Sequence, residues 1–299
     1  MEKSLTIEFR MVAIKKDLYM RLKAFIQVFL NRIVPRLYNN VVFMIKNRYI
    51  CHIKHPRTFN EKIQWRKYYQ HDLRFASLVD KWEVRKTIER LCPEVLIPSY
   101  GVFNSADEID FEKLPNSFII KPTHGFGKVI ICDDKERFDK NTAKRIIQDW
   151  LSYNQFYITG EWQYRDLKPR IIVDKLIGNN IKDYKFFCFN GEPRVIQIDS
   201  DRYIDHKRQL RDKEWNRIHC ELAYPNDETE LEKPERLDDM LKICRILSSD
   251  FDFVRVDLFW VDGNIYFSEL TFTPGNGMDR FVPRSFDYEL GKLWIINRS

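Results

Sequence analysis

The sequence predicts a mixed α+β fold, in which antiparallel strands joined by tight turns alternate with a few helices. Three observations support this prediction. Apolar runs of strand length meet at residues 190–191 (Asn-Gly) and at 262–264 (Asp-Gly-Asn), both of which are hairpin turn sequences. Two further apolar runs flank the glycine-containing segment 122–128, again as in a hairpin. The segments between these strand pairs carry the capping residues or the 3.6-residue periodicity of helices.

The limits of the elements follow from these signals in chain order. Thr58 and Glu61 form a capping-box pattern, so we expect a helix over 60–70, and Pro93 ends a second helix over 80–91. The other predicted elements are a helical turn at 105–108, strands over 118–121 and 129–132, a helix over 142–153, strands over 170–176, 184–189 and 194–199, a helix over 234–248, and strands over 253–261 and 265–270.

The composition is that of a globular protein from a reducing compartment. Over 299 residues, 44% are hydrophobic and 31% are charged, which excludes a wholly disordered chain. The six cysteines are far apart and include no C-x-x-C pair, so the sequence predicts neither a metal cluster nor a disulfide framework. We therefore expect a cytoplasmic protein.

Positive charge is concentrated at the start of the chain. Ten basic and three acidic residues give residues 1–50 a charge of +7, so the rest of the chain carries −1 of the total of +6. A basic segment of this kind is attracted to an anionic surface, whether membrane, polysaccharide or nucleic acid. No apolar stretch reaches the roughly 18–20 residues of a membrane span, and the start lacks the layout of a signal peptide.

Within this basic region, residues 17–33 are predicted to form an amphipathic helix. Its polar side carries Lys23, Gln27 and Asn31. Two interpretations remain open, namely a helix docked on its own domain and an interfacial helix at the inner face of the membrane. The apolar face carries Leu18, Leu22, Phe25, Ile26, Phe29 and Ile33.

The hairpin centred on Gly263 carries the clearest chemistry. Arg255 and Asp257 share one face of their strand because side chains alternate. Counted outward from Gly263, Asp257 and Glu269 are equally distant, so we expect the two carboxylates to lie opposite each other. Two adjacent carboxylates repel each other and require a cation, and with the Thr271 hydroxyl they form an oxygen ligand set suited to Mg²⁺. The alternative is a surface hairpin with solvated acids, which the apolar neighbours of Asp257 argue against.

Two other segments are candidates of lower specificity. Between Lys121 and Lys128, two glycines separated by one residue allow backbone N–H groups to face an anion, although a plain hairpin loop has the same appearance. The spacing is not that of a Walker A loop. The strand over 170–176 ends in polar residues and, as a sheet edge, would offer its backbone groups to an adenine.

The order of these segments resembles the ATP-grasp superfamily. In that superfamily two lysines hold the nucleotide phosphates, a mobile glycine-rich hairpin covers them, a linker strand binds adenine, and two late acids hold Mg²⁺. Lys81, the hairpin 121–128, residues 174–176, Lys185 and the late acidic pair follow this order. The stretch R-V-D, E-L-T and T-P-G-N-G-M within residues 255–278 resembles that of D-alanine–D-alanine ligases.

The sequence is still more similar to the TupA-like branch, which is named for teichuronopeptide synthesis. That family is associated with bacterial surface polysaccharides, and some members are labelled glycosyltransferases. The matching motifs are F-N-E-K-I-Q-W (59–65), V-D-K-W-E-V-R (79–85), L-P-x-x-F-I-I-K-P-x-H-G-F-G (114–127), G-E-W (160–162), K-P-R-I-I (168–172), D-Y-K-F-F-C-F-N-G (183–191), R-V-D-L-F (255–259) and E-L-T-F-T-P (269–274).

The resemblance implies a set of site residues. The implied ATP contacts are Lys81, Lys121, His124, Gly125, Phe126, Gly127, Lys128, Asp174, Lys175, Leu176 and Lys185. The implied catalytic residues are Arg255 and Lys185, and the implied Mg²⁺ ligands are Asp257, Glu269 and Thr271. The implied substrate contacts are Thr273, Gly275, Asn276 and Arg280. Most ATP-grasp ligases have Asn where this chain has Thr271, so the third metal ligand stays open.

The resemblance also implies how the chain is divided. Two ATP-grasp subdomains are expected over 76–170 and 171–299, preceded by a basic, mainly helical region over 1–75 in place of the usual Rossmann-like domain.

The implied function is a carboxylate–amine ligase that uses ATP and Mg²⁺ and acts through an acylphosphate. Its expected substrates are a small carboxylate and an amine or glycan, such as a uronic acid and an amino acid. Three alternatives stay open: a sugar phosphotransferase, a glycosyltransferase, and a non-catalytic binding protein. Nucleic acid is not an expected partner, because no nucleic-acid-binding signature occurs.

Overall fold

Antiparallel sheets dominate the computed structural model, which describes residues 26–178, 181–200 and 206–296. The strands are β1 (Ser99–Phe103), β2 (Phe118–Pro122), β3 (Ile130–Cys132), β4 (Ile171–Lys175), β5 (Lys182–Phe189), β6 (Glu192–Ser200), β7 (Lys207–Asp212), β8 (Arg217–Ile218), β9 (Glu221–Leu222), β10 (Phe253–Val261), β11 (Asn264–Thr271) and β12 (Phe281–Val282). The helices are α1 (Pro35–Asn47), α2 (Phe59–Tyr69), α3 (Arg74–Val79), α4 (Val84–Leu91), α5 (Lys140–Leu151), α6 (Gln155–Thr159), α7 (Leu237–Ser248) and α8 (Ser285–Leu293). These elements confirm the α+β class.

The smaller of the two main sheets has four strands in the order β1-β4-β2-β3. The hairpin predicted around the glycine segment is present, because β2 and β3 pair with Ile119 opposite Ile131. One face of this sheet packs on α5, and the shared core includes Phe118, Ile147 and Val173. Strand β4 belongs to this sheet, so the division expected at 170/171 separates it from its partner strands, which lie at 99–122.

The larger sheet has six strands in the order β11-β10-β5-β6-β7-β8 and two different faces. On one face Val254 and Val256 join the core formed with α7 and α4. On the other face an aromatic cluster around Phe59 and Phe253 covers one end of the strands. The polar residues at 255 and 257 point to this second face, beyond the aromatic cluster, because side chains alternate along β10.

The predicted helix over 60–70 is α2, and its capping box is formed as expected, with Thr58 accepting from the Glu61 N–H at 3.1 Å. The helix predicted over 80–91 begins later, at Val84. Asp80 has extended backbone angles and accepts the N–H groups of Trp82 and Glu83 at 2.8 and 3.0 Å. Asp80 therefore caps the following turn, and Lys81 lies in a non-helical break between α3 and α4.

The amphipathic helix predicted over 17–33 falls partly outside the described residues. Residues 26–33 are helical and continue into α1. Gln27 and Asn31 donate to the Ile158 carbonyl at 2.8 and 2.6 Å, whereas Ile26 and Ile33 are 46% and 61% exposed. In the described part, this helix is therefore docked on its own domain through its polar side, and its apolar side faces outward. No helix in the described part of the chain has the length and apolarity to cross a bilayer.

Candidate active site

Four neighbouring strands of the larger sheet place polar side chains in one row. Asp257 on β10 lies opposite Glu269 on β11 and opposite Lys185 on β5, and Lys185 in turn lies opposite Gln197 on β6. Directly opposed residues of antiparallel strands point to the same face. The expected juxtaposition of Asp257 and Glu269 is therefore present, and a lysine directly adjoins the pair.

Arg255 forms a two-pronged contact with Asp257. Its Nε and Nη2 atoms each lie 2.7 Å from an oxygen of that carboxylate. The same Nη2 lies 3.2 Å from the Thr271 hydroxyl and 3.6 Å from Glu269. Asp257, Glu269, Thr271 and Arg255, which the sequence singled out, thus form one cluster. Lys185 Nζ adds a second cation 3.4 Å from Asp257 and also pairs with Asp183.

Burial and charge act in opposite directions on this cluster. Burial raises the pKa of Asp257, and the cations of Arg255 and Lys185 counteract that rise. Burial lowers the pKa of Arg255, but its contacts with Asp257 and Glu269 outweigh burial and raise it overall. A fork of two parallel N–H···O bonds is the strongest geometry available to a carboxylate, so we assign Asp257 as ionised and paired.

The smaller sheet supplies a second group of charges. Lys121 Nζ on β2 lies 2.9 Å from Asp174 on β4, and Arg85 approaches the same carboxylate at 4.0 Å. Lys81 is hydrogen-bonded to the carbonyl of Gly125. Burial lowers the pKa of Lys81, and Glu269, Lys121 and Asp174 are close enough to influence it. Lys81 is thus near charged residues of both sheets.

The glycine loop between β2 and β3 is held by Tyr153 and Tyr164. Lys128 Nζ lies 3.3 Å from the centre of the Tyr153 ring, and the Phe126 ring contacts that of Tyr164. Gly127 has a left-handed φ of 73°. The sequence predicted that backbone N–H groups of this loop face an anion. In the structure the loop contacts Lys81 through the carbonyl of Gly125.

His124, which the resemblance implied as an ATP contact, belongs to this loop and is only 2% exposed. Its Nε2 lies 3.1 Å from the Trp150 carbonyl. Burial lowers the pKa of His124, so its ring is neutral at pH 7. In the described residues its Nδ1 has no hydrogen-bond partner.

The segment proposed for adenine differs from the expectation in one respect. Strand β4 is not a sheet edge, since it pairs with β1 and with β2. Its backbone groups are therefore engaged within the sheet up to Lys175, whose N–H donates to the Pro98 carbonyl at 2.8 Å. Asp174 is buried against Lys121, and Leu176 is the first residue beyond the strand. Leu176 and the residues after it are therefore the part of this segment with backbone groups outside the sheet.

The residues expected to contact substrate lie on the loop after β11. Thr273 is buried between Glu161, with which it is hydrogen-bonded, and Gln163, whose Nε2 lies 2.8 Å away. Asn276 has a left-handed φ of 55° and donates to the Thr159 carbonyl at 3.1 Å. Gly275 and Arg280, by contrast, are exposed on this loop.

A small recess is lined by Arg255 and by other residues for which the sequence predicted no role. Its polar lining consists of Asn60, Gln197, Arg255 and Asp279. Its apolar lining consists of Phe59, Phe187, Leu222, Pro274 and Phe281. These residues come from six separated segments, so no local spacing could have grouped them.

Glu161 is a further buried acid that the sequence argument left without a role. Burial raises the pKa of Glu161, and hydrogen bonds from Thr159 and Thr273 counteract that rise. Its Oε2 has no hydrogen-bond partner in the described residues. Its position in the G-E-W motif (160–162) was the sequence feature that could have identified Glu161 as a site residue.

The acidic pair is not part of a larger ligand cluster. Across residues 26–178, 181–200 and 206–296, no group of three or more His, Cys, Asp and Glu side chains could hold a metal ion. Two carboxylates and a hydroxyl fit Mg²⁺ only in the mode in which phosphate oxygens and water complete its octahedron.

Comparison with known proteins gives one family match. The model of the TupA-like ATP-grasp family matches residues 61–295. A search of curated proteins gives no match.

Solved structures with a similar fold include three ligases. The D-alanine–D-alanine ligase of Helicobacter pylori is 15% identical, with a TM-score of 0.38 over 67% of this chain and 55% of that one. The corresponding enzyme of Bacillus anthracis is 18% identical, with a TM-score of 0.42 over 72% and 64%. An L-amino acid ligase of Bacillus licheniformis is 13% identical, with a TM-score of 0.42 over 67% and 42%. The chain thus spans less than two thirds of the length of each of these proteins.

Proposed function

Because the chain belongs to the TupA-like ATP-grasp family, we propose that it is an ATP- and Mg²⁺-dependent carboxylate–amine ligase. The membership confirms the resemblance and the ATP-grasp fold that the motifs implied. In the proposed reaction a carboxylate oxygen takes the terminal phosphoryl group of ATP, which leaves ADP and an acylphosphate. An amine then attacks the acyl carbon, loses a proton and displaces phosphate, so that an amide remains.

The observation that carries the proposal is the charged cluster of the larger sheet. Asp257 and Glu269 lie directly opposite each other, and Arg255 and Lys185 contact Asp257 at 2.7 and 3.4 Å. Such a cluster has oxygen ligands for a hard cation and, directly beside them, cations for phosphate oxygens. A purely structural ion pair would require neither the second acid nor the second cation.

The proposed Mg²⁺ ligands are Asp257, Glu269 and Thr271. When bound, Mg²⁺ neutralises the charge that passes through the transferred phosphoryl group. Arg255 uses one lone pair on each oxygen of Asp257, so the same carboxylate could also hold Mg²⁺ through its remaining lone pairs. The guanidinium would then lie directly beside an anionic acyl or phosphoryl oxygen.

The proposed phosphate contacts are Lys121 on the smaller sheet, Lys185 on the larger sheet, and Lys81 in the break between α3 and α4. A buried ammonium such as Lys81 favours an anionic partner, because burial disfavours its charged form. The loop from His124 to Lys128 would cover the phosphates, and Asp174, Lys175 and Leu176 would lie near the adenine.

The carboxyl group of the substrate is proposed to approach Arg255 from the side of the recess, which in this structure is large enough for about one water molecule. Asn60 and Gln197 in its lining offer amide groups for hydroxyl or carboxyl oxygens. Thr273, Gly275, Asn276 and Arg280 follow on the adjoining loop and are proposed substrate contacts. A uronic acid joined to an amino acid or another amine satisfies these requirements.

The proposed setting is bacterial surface polysaccharide synthesis at the cytoplasmic side of the membrane. Support for this setting comes from the family association with such polymers and from the charge of +7 in residues 1–50.

The test is product analysis with a panel of uronic acids and amino acids in the presence of Mg-ATP. The proposal expects ADP, phosphate and amide in equal amounts, formed only when both substrates are present. Phosphate retained on a sugar product would instead identify a kinase. Consumption of a nucleotide sugar without ATP would identify a glycosyltransferase and overturn the proposal.

A further inference from the structure

An apolar stripe on the N-terminal helices faces outward. In α1, Leu37, Val41, Met44 and Ile45 are 63%, 43%, 46% and 55% exposed. Their spacing of four, three and one residues places them on one side of a helix. Ile26 and Ile33 extend the stripe along the preceding helical segment. Monomeric soluble proteins rarely expose a continuous apolar surface of this kind unless it serves binding.

The opposite side of the same helices binds the rest of the protein. Phe43 is fully buried, and Asn39 and Asn47 are each only 3% exposed. Asn47 Nδ2 donates to the Gly277 carbonyl at 3.1 Å, and Asn31 Nδ2 donates to the Ile158 carbonyl at 2.6 Å. Within the described residues, these polar contacts to the rest of the protein therefore fix which side of the helices faces outward.

The charge around the stripe has one sign. Between Asp17 and Glu61 the sequence contains eight Lys and Arg residues and no acidic residue. Of these, Arg32, Arg36, Lys46 and Arg48 are exposed on or directly after the described helices. An apolar face with basic flanks is the pattern of a helix that lies in the interface of an anionic bilayer.

We propose that the helical surface 26–48 docks on an anionic lipid bilayer, with the stripe inserted between headgroups and the basic residues at phosphate level. A second copy of the chain is a less suitable occupant. Two such surfaces meeting face to face would bring the basic flanks together without an acidic partner, and like charges repel.

The docked helix would place the loop after β11, which carries the proposed substrate contacts, close to the membrane. Asn47 contacts Gly277, and Asn60 links Asn47 to the carbonyl of Asp279, which lines the recess. This part of the inference rests on the proposed function and gives it a substrate source, namely an acceptor presented at the membrane surface. Vesicle binding itself requires neither ATP nor substrate, so it can fail or succeed independently of the ligase activity.

The test is flotation of the full chain with phosphatidylcholine vesicles, with and without phosphatidylglycerol. Wild type is expected to float with the anionic vesicles. The variant Leu37→Glu/Met44→Glu is expected to lower the partition coefficient by at least about tenfold, because two charges replace inserted apolar groups. Raising NaCl to about 0.5 M is expected to weaken wild-type binding, since the charge contribution is screened.

The matched control is Leu73→Glu/Ile246→Glu, which adds the same charge at positions 83% and 45% exposed outside the stripe. It is expected to bind within about twofold of wild type. The proposal is overturned if wild type does not float, if it binds neutral vesicles equally well, or if both double variants lose binding to the same extent. It is also overturned if sedimentation shows that Leu37→Glu/Met44→Glu only breaks a dimer while vesicle binding is unchanged.

Discussion

Asp257 is paired on both sides by cations although it is only 1% exposed. Breaking one partner of a buried pair leaves an uncompensated charge, so removal of the charge at Asp257 would leave Arg255 and Lys185 without their shared partner. Lys185 and Arg255 meet at this one carboxylate, and Glu269 lies opposite. The charge of Asp257 is therefore the property that a conservative substitution should test.

We expect Asp257→Asn to lower kcat for ADP release by at least about 100-fold, because the amide keeps the shape but lacks the negative charge that holds Mg²⁺ and balances Arg255 and Lys185. The measurement is a coupled ADP assay at saturating Mg-ATP. The control is Asp262→Asn, an identical change in the exposed turn of the same hairpin, where Asn also tolerates the left-handed φ of 47°. Normal turnover by Asp257→Asn would contradict the metal assignment.

Asp287 predicts a specific dependence of stability on pH. It is 1% exposed and accepts hydrogen bonds from Tyr49 and from the Asn60 N–H at 2.6 and 2.9 Å. Burial raises the pKa of Asp287 to about 6 from its ordinary 3.8, against the effect of these hydrogen bonds. The folded form thus keeps a proton that the unfolded chain has lost, and stability present below pH 3.8 is lost as the pH rises through 6.

Asp287→Asn removes this titration. Between pH 3.5 and pH 7 the free energy of unfolding of the variant should therefore rise by about 3 kcal/mol relative to wild type. Urea unfolding at a series of pH values measures this difference. A difference that stays constant over the range would show that Asp287 does not titrate as assigned.

At the residue scale, the sequence predicted the ionic cluster better than its surroundings. Arg255, Asp257, Glu269 and Thr271 lie close in sequence on one hairpin, so alternation along the strands and the turn position sufficed. Glu161 lies more than one hundred residues from Thr273, which it contacts. Contacts of that separation depend on tertiary packing, which no periodicity contains.

At the element scale, Asp257 and Glu269 lie opposite each other as predicted, but counting from the turn of the hairpin β10–β11 does not by itself explain it. The turn occupies Asp262 and Gly263, so Val261 pairs with Asn264 and a regular hairpin would place Asp257 opposite Ser268. A bulge between Asp257 and Leu258 shifts the register by one residue and brings Glu269 opposite instead. A one-residue shift exchanges the two faces of a strand. The bulge therefore determines that the carboxylates meet.

A side chain at Gly125 in the glycine loop is expected to clash with Tyr153, and a second substitution at Tyr153 is expected to relieve the clash. A Cβ added to Gly125 would lie 2.1 Å from the Tyr153 hydroxyl oxygen, and the next nearest atom, Tyr153 Cζ, is 3.2 Å away. We expect Gly125→Ala to raise KM for ATP by about tenfold, since a displaced loop loses its contact with Lys81. The double variant Gly125→Ala/Tyr153→Phe removes the clashing oxygen and should recover most of the affinity.

The matched control is Tyr153→Phe alone, which keeps the ring beneath Lys128 and should leave KM nearly unchanged. Steady-state kinetics at varied ATP concentration distinguishes these variants. Equal KM values for Gly125→Ala and its double variant would show that the clash is not the cause.

For two elements, hydrophobic periodicity does not determine how the element packs. The apolar face of residues 17–33 indicates which side of the helix is apolar but not which side is buried, and here polar contacts at Asn31 determine the docking. Similarly, an apolar run such as that of β4 is compatible with both an edge strand and an interior strand. Its position between β1 and β2 depends on pairing partners about 50 and 70 residues away.

At the scale of the whole molecule, Arg66 joins three distant segments. It is fully buried, and its Nη1 donates to the carbonyls of Phe253 and Phe272 at 2.8 and 3.1 Å. It also pairs with Asp252 and lies over the ring of Trp294 at 4.2 Å. The helical region thus forms part of the same folded unit as the larger sheet and the end of the chain.

We expect Arg66→Ala to destabilise the protein by about 3–5 kcal/mol, because Asp252 and two carbonyls lose their buried partner. Arg165→Ala removes a surface arginine that is 55% exposed and pairs with its neighbour Asp166 at 2.8 Å. That control should change stability by less than about 0.5 kcal/mol. Chemical denaturation measures both variants, and similar losses would contradict the role assigned to Arg66.

The central claim is that the charged cluster serves a ligase that acts through an acylphosphate, and oxygen isotope transfer tests it most directly. The carboxylate substrate is labelled with ¹⁸O in its carboxyl group and incubated with Mg-ATP and the amine, and the released phosphate is analysed by mass spectrometry. The account predicts one labelled oxygen in each phosphate released, because the carboxylate oxygen that attacks the phosphoryl group leaves with it. Phosphate free of label, formed together with amide, would contradict the acylphosphate route.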